Sequence, residues 1–161
     1  MNMIKAAGLA VVFSALICGG FSIGIECRNI CRRIEGLCRL VGFIRSRIEC
    51  YNEPLSEIYS EFEDEALEAC GFLEKLRSDG FSAAVEQCGD SFSDDELLRS
   101  LYDFSSRLGK SLSPEQLQNC DAALEYLNMC LKREREKLPQ KIKLIKAVSA
   151  ASAVMTVIVL M

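Results

Sequence analysis

Nine cysteines are the side chains in this sequence best suited to chemistry, at positions 18, 27, 31, 38, 50, 70, 88, 120 and 130. A thiolate is a nucleophile and a soft metal ligand. The spacing argues for neither role. No two cysteines form a Cys-x-x-Cys pair, and structural zinc is usually held by close pairs across a turn. Cys27, Cys31 and Cys38 share one helix face at i, i+4 and i+11. With no histidine in the chain, a metal would rest on thiolates and carboxylates alone, and Ser-His or Cys-His nucleophiles are excluded. The cysteines read as small buried thiols along a packed seam. The densest acidic run is Glu61, Glu63, Asp64 and Glu65. It has no base beside it, and it suits the positive end of a helix dipole better than acid–base catalysis. Gly19 and Gly20 lie inside an apolar run, so they are not a phosphate loop. No catalytic, cofactor-binding or metal-ligating residue is assigned, and the chain reads as a non-enzyme.

The elements that would position these residues begin with residues 6–25, AAGLAVVFSALICGGFSIGI, which carry no charge. As a helix they span about 30 Å, the thickness of a bilayer core. The run is long for a signal-peptide core, and Cys18-Gly19-Gly20 is a poor cleavage site. Residues 1–25 are therefore expected to be a retained transmembrane helix. Residues 147–161, AVSAASAVMTVIVLM, are a second uncharged run. It is short for a span, but Lys143 and Lys146 can snorkel and extend it. Residues 141–161 are expected to be a C-terminal transmembrane helix.

Charge is segregated along the chain. Residues 26–50 carry net +3, residues 51–125 net −13 and residues 126–146 net +5. Both basic stretches adjoin an apolar run, which by the positive-inside rule places residues 26–140 in the cytoplasm. A disulfide framework is disfavoured there. The acidic middle disfavours nucleic-acid binding, since phosphate contacts need a basic surface.

Between the apolar ends the pattern is helical throughout. Ile30, Ile34, Leu37, Val41, Ile44 and Ile48 make a stripe on a first helix. Pro54 starts a second, with Leu55, Ile58, Tyr59 and Phe62 inward. A third is expected over 65–78, ended by Gly80, and a short fourth over 82–88. Ser93 with Glu96, and Ser113 with Gln116, read as capping boxes for a fifth and a last helix. Pro139 is expected to kink or break the last one. The expected fold is all-α, an antiparallel bundle of about six helices between two transmembrane helices.

Two short stretches then carry a resemblance. Residues 40–55, LVGFIRSRIECYNEPL, end a helix before a Pro-Leu turn, with Glu57 beyond it. Leu108-Gly109-Lys110-Ser111 precedes Gln116 or Gln118 and a long helix to Leu131. With the membrane–bundle–membrane layout, the chain resembles the stage III sporulation protein AB family. Glu53 stands where relatives often have Thr. The resemblance implies a soluble part similar to the helical domain of type II secretion F proteins and type IV pilus platforms. It also implies an inner-membrane platform of the channel between mother cell and forespore, on the mother-cell side of an endospore-forming bacterium. The implied partner is the secretion-type ATPase stage III sporulation protein AA, with other channel components. The acidic region, at Glu61, Glu63 and Glu65, is the expected place for a basic partner surface. A platform of a general secretion or pilus system, or an unrelated thiol-based redox or metal membrane protein, are the alternatives.

Overall fold

The computed structural model describes the backbone of residues 2–51, 53–92, 94–110 and 113–160. Side chains are described for these residues except 2–24, 113, 141–142, 145–146 and 149–160. The described residues form seven α-helices and a 3-10 turn. In order these are α1 (Asn2–Tyr51), α2 (Leu55–Glu61), α3 (Glu65–Ala69), α4 (Phe72–Asp79) and α5 (Phe81–Cys88), then the 3-10 turn Gly89–Phe92, α6 (Asp95–Arg107) and α7 (Ser113–Leu160). The chain divides into two compact units, one of Asn29–Arg133 and one of Met1–Arg28 with Glu134–Met161. Among the described residues no helix is long and apolar enough to cross a membrane. The two apolar runs expected to span one lie almost wholly outside the residues whose side chains are described.

Within Asn29–Arg133 the six stripe residues of the first helix are all buried, joined by Leu40. Each such aliphatic side chain withdrawn from water contributes about 2 kcal/mol. Ile58, Tyr59 and Phe62 close over them from α2 and its end. Phe43 meets Phe62 with ring centroids 5.5 Å apart. Around α4–α6 the core is aromatic. Phe72 stands edge-on to Phe81 and to Phe92, and Phe81 edge-on to Phe104 at 5.2 Å, the geometry the ring quadrupole favours.

Three features differ from the sequence expectation. The single helix over 65–78 is two helices, because Gly71 takes φ 78° and breaks the helical run. Glycine enters that left-handed region without the Cβ penalty. The break re-aims α4, so that Phe72, Leu73 and Leu76 are fully buried while Ala69 is exposed. The cap of α6 is Asp94, whose Oδ1 accepts from the Glu96 N–H at 3.0 Å; Ser93 lies outside the described residues, as does the Ser113 side chain of the second expected box. Aspartate caps as well as serine, so the start moves by one residue. A 3-10 turn over Gly89–Phe92 follows α5. Finally, α7 runs through Pro139 without a break. Pro139 is exposed, and solvent can supply the hydrogen bond that its ring denies the preceding turn. Tyr102 on α6 is 38% exposed.

Close approach of α3 to α1 depends on Gly36. A Cβ there would lie 2.8 Å from Asp64 Oδ1 and 2.8 Å from Leu67 Cγ. The missing side chain lets the first turn of α3 rest on the α1 backbone.

Candidate functional site

The two stretches that carry the resemblance are some sixty residues apart in sequence and meet in space. Gly109 has φ 76°, and a Cβ on it would lie 3.0 Å from Leu55 Cδ1. Around this contact is a notch of about 290 Å³ lined by Ile48, Glu53, Pro54, Leu55, Gly109 and Gln116. It draws on the end of α1, the start of α2 and the turn between α6 and α7.

Local chemistry holds each wall. Pro54 precedes α2 in extended conformation, and its carbonyl accepts from the Glu57 and Ile58 N–H groups at 3.0 and 3.3 Å. No side chain caps this turn. Glu53, at the position where relatives often have Thr, instead accepts from Arg47 Nη1 at 3.0 and 3.2 Å. Arg47 also donates to Glu61 and lies over the Phe43 and Tyr51 rings at 5.0 and 5.7 Å. One guanidinium thus gathers the end of α1, the turn and the end of α2 into a network of charge and cation–π contacts. On the other wall, the Leu108 N–H bonds the Phe104 carbonyl at 3.1 Å. Asn119 Nδ2 donates to the same carbonyl at 3.2 Å, tying α7 to the end of α6. Arg45 Nε donates to Asp121 Oδ1 at 2.6 Å and ties α7 to α1.

The acidic residues separate. Glu61 is held by Arg47. Glu63 and Glu65 are exposed and line a second concavity of about 290 Å³ with Asp64, Glu68 and Arg77. Asp64 is buried and structural: Oδ1 accepts from the Ala66 and Leu67 N–H groups, and Oδ2 from Arg39. A basic groove of about 440 Å³ runs along α1 and α3, with Asn29, Arg32, Arg39 and Glu65 on its walls.

Four of the eight described cysteines are buried, namely Cys31, Cys88, Cys120 and Cys130. Burial pushes the Cys120 thiol up to about 11, with Asp121 adding to it, and raises Cys88 and Cys130 as well. These thiols stay protonated at neutral pH and are poor nucleophiles. Cys27, Cys38 and Cys70 are half-buried and Cys50 is exposed, so the seam does not take in every cysteine; Cys18 lies outside the described side chains. Among the described residues no three metal-ligating side chains come together.

A family model described as stage III sporulation protein AB matches residues 5–161. The chain belongs to the stage III sporulation protein AB family. This member of the family is accordingly a sporulation-related protein. No curated protein and no solved structure matches it. The family match joins the notch walls, the helical unit and both apolar ends in one continuous stretch.

Sequence reasoning missed the notch. From sequence, Gly109 and Leu55 belong to two separate short stretches, Leu55 also as one apolar side chain of α2, with nothing to join them. The signal was the pairing of an extended Pro-Leu start with a Leu-Gly stop, which needs a tertiary contact to be seen. Arg47 is likewise one of six arginines within residues 26–50, although Tyr51 at i+4 and Glu53 beyond it are the partners it takes.

Proposed function

We propose that this chain is a non-enzymatic membrane platform of the sporulation channel between mother cell and forespore. Its apolar runs, residues 1–25 and 141–161, anchor it in the inner membrane on the mother-cell side. Residues 26–140 form the cytoplasmic body, similar to the helical domain of type II secretion F proteins. That body takes the push of the secretion-type ATPase, stage III sporulation protein AA, and passes it to the two membrane helices and neighbouring channel components. No cofactor or small-molecule substrate enters this reading.

The observation that carries it is the family match, which extends through both apolar ends. The basic stretches beside those ends support the cytoplasmic orientation. Glu63 and Glu65, both exposed, are the acids best placed to meet a basic partner surface, whereas Glu61 is engaged by Arg47. Fold analogy alone would be weak grounds for function; the order of anchor, body and anchor strengthens it.

The test is purification of the full-length chain from membranes of sporulating cells. It is expected to resist carbonate extraction and to retain the ATPase. Charge reversal at Glu63 and Glu65 is expected to weaken that retention. A chain that carbonate releases, or one that never retains the ATPase, overturns the platform reading.

A further inference from the structure

We propose that the lysine-rich part of α7 is a headgroup site for anionic phospholipid, set at a fixed depth in the bilayer. The inference rests on the membrane-platform reading and adds the lipid class and the residues that recognise it. Lys137, Lys141, Leu144 and Val148 follow i, i+4, i+7 and i+11 in one continuous helix, so they fall on one line along it. Lys137 is exposed and bonded to Glu134 one turn back. Leu144 is 66% and Val148 56% exposed, and Lys143 beside them is exposed too.

One exposed leucine means little, because such residues are common on surfaces. Here Leu144 lies between Lys143 and Lys146 at the end of a basic stretch, and Val148 lies at the start of fifteen residues without charge, 147–161. The order of cations first and apolar side chains next suits a helix passing from headgroups to acyl chains. The ammonium groups reach back to the phosphates while their stems stay in the apolar layer. The middle of α1 has the same order in mirror sense: Ile25 is 46% exposed, and the exposed Arg28 and Arg32 follow it.

Charge selects the lipid. Residues 126–146 carry net +5 and residues 51–125 net −13. An anionic surface draws in the first stretch and repels the second. Each lysine near such a surface raises local binding about fivefold, and the field dies away within about 8 Å at physiological salt. An acidic protein partner would satisfy the lysines, but it would also have to cover Leu144, Val148 and the uncharged run beyond them.

The chain has no tryptophan, so Leu144→Trp gives a single reporter in the full-length protein. It is reconstituted into vesicles containing equal fractions of phosphatidylglycerol and phosphatidylcholine, with one or the other brominated on its acyl chains. Brominated phosphatidylglycerol is expected to quench the reporter as though enriched about fivefold locally. Added salt, or the triple change Lys141→Gln, Lys143→Gln and Lys146→Gln, is expected to remove the difference. Equal quenching by both lipids overturns the headgroup site and leaves the membrane anchor standing. Quenching by neither, in a chain that floats with the vesicles, also overturns it and puts this face against protein. A chain that floats with no vesicle overturns the platform reading and this inference together.

Discussion

Arg39 donates two hydrogen bonds, at 2.8 and 2.5 Å, to a single oxygen of Asp64, and the other oxygen of that carboxylate caps α3. The Asp64 side chain is 3% exposed and that of Arg39 56%. Burying one carboxylate is tolerable because both its oxygens are satisfied, one by backbone N–H groups and one by a cation. Asp64→Ala removes the cap and leaves two donors unmet, at a cost of about 3 kcal/mol. Asp64→Asn keeps a cap and is expected to cost about half as much. Urea unfolding of the two variants gives the order; equal losses would mean that the cap contributes nothing.

Gly36 sets how near α3 can lie to that pair. Gly36→Val is expected to push on Asp64 and Leu67 together, because a Cβ would come within 2.8 Å of both. Overpacking of this kind costs about 1–3 kcal/mol. The diagnostic result is non-additivity: Asp64→Ala removes one of the two obstacles, so the double variant loses less than the sum of the singles.

At the notch, Gly109→Ala meets two penalties, a left-handed φ of 76° and contact with Leu55 Cδ1 at 3.0 Å. The backbone part alone costs about 1 kcal/mol. Leu55→Ala relieves the contact and leaves the backbone part, so it is expected to rescue Gly109→Ala only in part. Full rescue in thermal unfolding would mean that the φ carries no strain.

The buried thiol of Cys120 predicts a pH dependence. Its pKa rises from 9.0 to about 11 on folding, so the folded state holds a proton that the unfolded chain releases earlier. The stability from this group is whole below pH 9 and is lost as pH climbs toward 11. Two units correspond to about 2–3 kcal/mol. Cys120→Ala is expected to show a flatter decline than the parent between those pH values; parallel curves would show that the thiol titrates alike in both states.

Much of this architecture was legible before any coordinates. The α1 stripe from Ile30 to Ile48 follows directly from apolar spacing, because a helix face buried along its length has no other way to be written. The Pro54 start and the Gly80 stop are local backbone chemistry and fell where expected. The split at Gly71 was not legible, since glycine inside an apolar helical pattern is tolerated as often as it breaks one. Tertiary packing decides it: beyond the break Phe72, Leu73 and Leu76 are all fully buried. The notch was hidden for a related reason. Leu55 and Gly109 are unremarkable in their own segments, and only the packing of α2 against the α6–α7 turn gives them a common role. Asp64 shows the same limit, because its neighbours Glu63 and Glu65 have the same charge and only burial tells them apart.

Cys50 sits in the penultimate position of α1, two residues past Ile48 of the notch, and among the described residues it is the one exposed cysteine. A bulky maleimide dye at limiting dose should therefore mark this end of the helix first. The native chain thus offers a ready attachment point for a fluorophore or tether beside the Leu55–Gly109 contact, with no engineered residue.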